Sequence, residues 1–289
     1  MRYGLLLSLV AVGAVACCVA RAHAVSGTPW EYGTLTAAWT GETPDFETGT
    51  IHIVCPGGIV TNDHNVDVGA SFFTPSKLDM KATTSDDLPA IQALGPALNA
   101  KLMPNGKPAA FSAYCIDIGQ WLQPGDQTYT ISDAQYAPTG SGLPAMGYLK
   151  VKDLRILFQV ADSVKLSSSA ANRQASAFAA AVWEIVNEKP KNGYDITSGN
   201  FSVDGPMTAD AQKLLDAVGQ FKRDNPTFDP EALPQIYSLS SATSQDFAIV
   251  VTSGVSSPPI PEPITLLTSL IVVSGLGCYA RRRKLAAKA

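Results

Sequence analysis

The chain has 289 residues, and its formal net charge of −4 conceals an uneven distribution. All 25 acidic residues lie between residues 25 and 263, together with only 14 of the 21 basic residues, so this segment carries a net charge of about −11. A strongly acidic segment argues against nucleic-acid binding, which requires a basic surface.

The N-terminus has the pattern of a secretory signal peptide. Arg2 precedes an apolar run from Gly4 to Ala20, and Ala22-His23-Ala24 supplies small residues at the spacing of a cleavage site. We therefore predict a signal peptide over residues 1–24, cleaved after Ala24 once the Sec machinery has exported the chain.

Cysteine usage follows from this prediction. Cys17 and Cys18 would leave with the signal peptide, and Cys278 lies in an apolar run near the C-terminus. Cys55 and Cys115 then remain in a compartment where disulfides persist. They are the candidates for a disulfide, which would contribute roughly 4 kcal/mol in the loop-entropy model.

The exported segment changes character along its length. Alternating or β-branched runs predict strands in GTLTAAW, TIHIVC, VDVGASFF, FSAYCIDI and QTYTI, with one or two short helices in SDDLPAIQALGPALNAKL. Helical spacing follows in YLKVKDLRILFQVAD, SSSAANRQASAFAAAVWEIVNE and TADAQKLLDAVGQFKRD, with serines and Thr208 as candidate N-caps. QIYSLSS and QDFAIVVTS return to a strand pattern. Residues 25–253 are therefore predicted to form one α+β domain, mainly an antiparallel sheet (sandwich or barrel-like) with about three inserted helices.

The motifs of common enzyme classes are missing from the sequence, including G-x-S-x-G, H-E-x-x-H and the P-loop. The stretch NDHNVDVG offers oxygen ligands from Asp63, Asn65 and Asp67. However, Val68 and Thr74 stand where a calcium-binding loop needs glycine and glutamate, so we interpret the stretch as a polar turn between strands. We expect no metal, no cofactor and no catalytic residues.

The C-terminus carries a second topogenic pattern. A Ser/Pro-rich linker, residues 254–263, ends in Pro261-Glu262-Pro263. It precedes an uncharged apolar run over residues 264–280 and a basic tail over residues 281–289 that begins with Arg281, Arg282 and Arg283. A run of this length is at the short end of what crosses a bilayer, and the arginines would stay on the cytoplasmic side. We predict a transmembrane helix here.

The order of Pro-Glu-Pro, apolar run and arginine cluster resembles the PEP-CTERM sorting signal of Gram-negative surface proteins. The resemblance implies that exosortase recognises the Pro-Glu-Pro element of an inner-membrane-anchored precursor and removes the tail. It also implies a place at the cell surface or in an extracellular matrix associated with biofilm and exopolysaccharide, with surface polysaccharide as a further partner.

A second resemblance spans roughly residues 66–251. Phe111 to Asp117, the helix from Ala177 to Val186, the segment Tyr194 to Phe201 and Gln245-Asp246 are similar to segments of many such proteins and to bacterial thioester adhesin domains. In those adhesins a cysteine and a glutamine condense into a reactive acyl group that captures a nucleophile.

This chain departs from the adhesin pattern beside its tryptophan. Ala179 stands four residues before Trp183, where the pattern has glutamine. Gln174 lies five residues earlier still, about 140° around a helix, and cannot replace the missing group. We therefore interpret Cys115, Ala179 and Trp183 as packing positions and expect no thioester. The predicted function is that of a non-enzymatic surface or matrix protein. The alternatives are a covalent adhesin acting through Cys115 and a carbohydrate-binding module using Trp30, Trp39 and Trp121.

Overall fold

A computed structural model describes residues 31–42, 47–55, 59–68, 71–80, 88–118, 120, 122–138, 145–189 and 193–251. The chain separates into two compact units, Met1–Val255 and Ser256–Ala289, and every described residue belongs to the first. Its strands are β1 (Glu31–Glu42), β2 (Glu47–Cys55), β3 (Ile59–Val68), β4 (Ser71–Met80), β5 (Phe111–Cys115), β6 (Asp126–Asp133), β7 (Phe201–Asp204), β8 (Gln235–Ser240) and β9 (Phe247–Val251). Its α-helices are α1 (Leu88–Leu102), α2 (Tyr148–Val160), α3 (Ala171–Asn187) and α4 (Thr208–Asp224).

Six strands close into an antiparallel barrel in the order β1-β4-β5-β9-β8-β6, and β3-β2-β7 form a separate three-stranded sheet. The period-two pattern of the sequence explains the barrel wall. Leu35 and Ala37 of β1 and Tyr129 and Ile131 of β6 are buried, and the residues between them are less so. The predicted α+β class and barrel-like antiparallel sheet are therefore confirmed.

Aromatic rings fill the barrel. The ring of Phe73 lies 4.8 Å from that of Phe247, 5.6 Å from that of Phe111 and 5.9 Å from that of Tyr129. All four side chains are at most 2 % exposed. These rings join strands that are distant in sequence, because burying large apolar surfaces is the main force that closes the barrel.

Three helices are inserted between β6 and β8, as predicted, and a fourth, α1, lies earlier in the chain. The segment before β5 was expected to hold one or two short helices and forms the single helix α1, whose Leu94, Leu98 and Leu102 are buried at four-residue spacing. The short strand β7 lies between α3 and α4 and pairs with β2.

Three local predictions are wrong. The stretch NDHNVDVG, expected as a turn, belongs to β3 up to Val68 because it pairs with β2. No serine caps α3: its N-cap is Ala170, and the Ser168 hydroxyl accepts a hydrogen bond from Ala170 N. Thr208 is the first residue of α4 rather than its cap, and its hydroxyl donates to the carbonyl of Val203.

The predicted membrane segment, residues 264–280, lies outside the described residues. Within the described ranges, no helix is both long enough and apolar enough to span a bilayer.

Candidate functional site

The site is centred on Cys115, the last residue of β5, at one end of the barrel. Strand pairing places Cys115 opposite Phe247, the first residue of β9. The turn that precedes β9 is fixed to the chain after β5, since Ile116 N donates to Asp246 O over 2.9 Å. The Asp246 carboxylate holds the turn itself by accepting a hydrogen bond from Ser241 N over 2.7 Å.

Two side chains donate to one carbonyl oxygen at this end of the barrel. The Cys115 thiol donates to the backbone oxygen of Asp117 over 3.3 Å. The Gln245 side-chain amide donates to the same oxygen, also over 3.3 Å. The sulfur and the amide nitrogen therefore lie no farther apart than about twice that distance. Cys115 is 7 % exposed and Gln245 is half-buried.

Electrostatics keep the thiol protonated. Burial raises the pKa of Cys115 well above its ordinary value, and the negative charge of Asp117 raises it further. A buried thiol next to acidic groups is a weak nucleophile at neutral pH because the thiolate is the reactive form. Nucleophilic attack by Cys115 would therefore require a group that accepts the thiol proton.

Helix α3 supports the site from one side. The indole Nε1 of Trp183 donates to the backbone oxygen of Cys115 over 2.9 Å. Phe178 precedes Trp183 by more than one helical turn, and its ring lies 4.6 Å from that of Tyr114. Ala175, Ala179 and Trp183 are all buried. Trp183 therefore positions the strand end that carries the thiol.

The two glutamines differ in position. The Gln174 amide donates to the backbone oxygen of Ser168, in the chain just before α3. The sequence argument considered only Gln174 as a replacement for the missing glutamine, whereas in the structure the amide of Gln245 shares an acceptor with the Cys115 thiol. The sequence shows Gln245 next to Asp246, but only the pairing of β5 with β9 shows that Gln245 faces the cysteine.

The predicted Cys55–Cys115 disulfide stays a prediction. Cys115 is a free, buried thiol in the structure. Cys55 ends β2, and its side chain lies outside the described residues. Thiol alkylation of the denatured protein without reductant decides the matter, because a disulfide would leave both cysteines unlabelled, whereas a free, buried thiol would react once the chain is unfolded.

The remaining candidate residues lie elsewhere. Trp39 of β1 is 37 % exposed, near the same end of the barrel as Cys115. The other candidates fall outside the described residues: Ala22, Ala24, Trp30, Trp121, Pro261, Glu262, Pro263, Arg281, Arg282 and Arg283. Within the described part of the chain, no group of three or more His, Cys, Asp or Glu side chains is arranged to hold a metal ion.

An open cavity of about 310 Å³ lies where α3 and α4 begin. The Asp210 carboxylate, which lines this cavity, accepts hydrogen bonds from the backbone N–H groups of Ser167 and Ser168 and from Lys213 Nζ. These bonds tie the start of α4 to the chain before α3, which gives the carboxylate a structural role.

Comparison of the chain with protein-family models, with curated proteins and with solved structures gives no match.

Proposed function

We propose that this chain is an exported, non-enzymatic protein of the cell surface or extracellular matrix. Its precursor is anchored in the inner membrane by a helix over residues 264–280, and exosortase processes it near Pro261-Glu262-Pro263. The observation that carries the proposal is the order of three C-terminal elements, Pro-Glu-Pro, apolar run and arginine cluster, in a chain that also begins with a signal-peptide pattern. The last barrel strand ends at Val251, shortly before this signal. A partnership with surface polysaccharide rests on the PEP-CTERM resemblance.

Terminal peptide mapping of protein released from the cell surface tests this proposal. We expect neither residues 1–24 nor the sequence KLAAK at the C-terminus of released material. The variant Glu262→Ala should retain the tail in the membrane fraction, whereas Pro258→Ala, in the same linker, should be processed normally. Released wild-type protein that still contains KLAAK would overturn the C-terminal processing.

A second candidate function, covalent capture of a nucleophile, is favoured by one observation. Cys115 Sγ and Gln245 Nε2 donate to the same oxygen. Attack of the sulfur on the Gln245 side-chain carbon would form a carbon–sulfur bond and break the carbon–nitrogen bond, and ammonia would leave with the thiol proton. An amine on a partner would then attack the acyl carbon, form an amide and return the Cys115 thiol.

The two candidates are separated by the intact mass of the mature, non-reduced protein before and after methylamine treatment. Covalent capture predicts the loss of one ammonia, followed by a methylamine adduct that maps to Gln245. Gln245→Ala and Cys115→Ala should abolish both, and Gln174→Ala should abolish neither because its amide binds Ser168. An unmodified mass and no adduct would leave Cys115 and Gln245 with packing roles alone.

A further inference from the structure

The segment from Gly193 to Asn200 is held against α3 by two glutamates. Glu184 Oε1 accepts a hydrogen bond from the backbone N–H of Asp195 over 3.0 Å. Glu188 Oε1 accepts from the backbone N–H groups of Asn200 and Phe201, the latter over 3.1 Å. We call this pair of glutamates and the three N–H groups that they bind the carboxylate clamp.

The clamp leaves no room at its centre. Gly199 has a φ of +114°, and a Cβ at this position would collide with Oε1 of Glu188, so that this side chain would have to shift. Only glycine combines this backbone conformation with so close an approach. The segment also folds on itself, because the Asp195 carboxylate accepts hydrogen bonds from Thr197 and Ser198.

One carboxylate oxygen of the clamp lacks a partner. Glu184 is fully buried, and its Oε2 makes no hydrogen bond to any residue that the structure describes. A buried carboxylate with an unpaired oxygen is costly when it is charged, so the group favours its neutral form. Burial first, and then the charges of Glu188 and Asp195, raise the pKa of Glu184 to about 8, although the bond from Asp195 N acts in the opposite direction.

The charged groups around Glu184 come from three further parts of the molecule. From α2, Asp153 accepts hydrogen bonds from Tyr194 of the segment and from Lys222 of α4. Lys150, also on α2, donates to the backbone oxygen of Val186 next to Glu188. The groups that face Glu184 or its immediate neighbours are therefore Asp153, Lys150, Glu188, Tyr194, Asp195 and Lys222. The two cations in this group bind other acceptors. Lys222 pairs with Asp153, Lys150 donates to a backbone carbonyl oxygen, and neither donates to Glu184.

We propose that Glu184 makes the segment 193–200 a pH-sensitive latch, which is tightest when the carboxyl group is protonated and weakens when it is ionised. Ionisation places a charge in a dry site beside two other acids, and opening the segment relieves this cost by admitting water to Oε2. The latch lies beside the candidate site, because Trp183 precedes Glu184 on α3 and its ring lies 6.1 Å from that of Phe201.

Hydrogen exchange of the backbone N–H groups of Asp195, Asn200 and Phe201 in the full-length protein tests the latch. When the segment opens, the pKa of Glu184 returns to its ordinary value. At any pH between this ordinary pKa and the raised pKa of the closed segment, opening therefore releases a proton. We expect protection, corrected for the intrinsic exchange rate, to fall by up to about tenfold per pH unit from about pH 5 to about pH 8 and then to level off. Lys150, whose pKa burial lowers, would act in the opposite direction.

The Glu184→Gln variant, which keeps an acceptor for Asp195 N and cannot ionise, should show protection that is independent of pH over this range. Asp204→Asn removes an exposed carboxylate on β7 and should behave as the wild type. Equal pH dependence in Glu184→Gln and the wild type, or constant protection in the wild type, would overturn the proposal. If Glu184→Gln does not fold, the side-chain ¹³C signal of Glu184 in the wild type decides: titration near pH 8 supports the latch, and an ionised group at pH 6 refutes it.

Discussion

Adjacent residues of α3 contact two regions of the molecule that are held in different ways. Trp183 donates to Cys115 at the end of the barrel, whose interior is filled by rings at most 2 % exposed. Glu184 belongs to the carboxylate clamp, where side-chain oxygens accept the backbone N–H groups of a loop segment. The barrel backbone is paired strand to strand. The segment 193–200 instead binds mainly side chains, those of Glu184, Glu188 and Gln212.

This difference determines how each region responds to its surroundings. Apolar packing carries no charge, so the stability of the barrel interior should not depend on pH in the neutral range. A carboxylate that replaces a strand partner can change its protonation state, and its contribution to stability then changes with pH. Four substitutions separate the two kinds of support.

The largest effect is expected from Phe247→Ala in the barrel. Phe247 is fully buried and lies 4.8 Å from Phe73, so its removal leaves a cavity that the strands cannot close. We expect the free energy of unfolding to fall by about 3–5 kcal/mol, equally at acidic and at mildly alkaline pH. Urea unfolding at both pH values measures this; a loss that varies strongly with pH would show that the barrel is not independent of charge.

Gly199→Ala should break the clamp at a somewhat smaller cost, about 2–4 kcal/mol, because a methyl group would collide with Glu188 Oε1 at a backbone conformation that favours glycine. Gly193→Ala is the matched control. Gly193 also has a positive φ, +76°, but open space around it, so only the backbone cost of about 1 kcal/mol applies. Equal losses in the two variants, measured by urea unfolding, would remove the clash as the cause.

Trp183→Phe tests the link between α3 and the barrel. The variant keeps a ring but leaves the buried carbonyl of Cys115 without the indole donor. The free energy of unfolding should fall by about 1–3 kcal/mol. Trp39→Phe, at a side chain that is 37 % exposed, should change it by less than about 0.5 kcal/mol. Thermal unfolding of both variants compares them, and a neutral Trp183→Phe would show that the hydrogen bond is dispensable.

Counted per pH unit, the smallest effect concerns the slope of stability with pH. The folded protein keeps the Glu184 proton up to a pKa of about 8, whereas the unfolded chain loses it near the ordinary value of 4.5. Between these values the folded state binds more protons, so the contribution of Glu184 falls with rising pH by up to about 1.4 kcal/mol per unit. Glu184→Gln should remove this component of the slope in urea unfolding, and Asp204→Asn should not.

Much of the fold was predictable because periodicity is a local property. Alternation predicted the strands around Leu35 and Tyr129, and helical spacing predicted α2, α3 and α4. Turn and cap chemistry was less predictable. Ala170 caps α3 although serines precede it, because Asp210 of α4 takes the N–H groups of Ser167 and Ser168. A competing partner from a distant element overrides the local preference.

The sequence by itself determined the class of the domain, the acidic charge of residues 25–263 and the order of the elements in the predicted sorting signal, since each depends on residue type and spacing alone. Only the tertiary structure decided that Gln245 rather than Gln174 shares an acceptor with Cys115. It also decided that Glu184 is buried with one oxygen that binds none of the described residues. Both depend on contacts between elements far apart in the chain, set by barrel closure and helix packing, and no local pattern encodes which distant side chain will fill a given space.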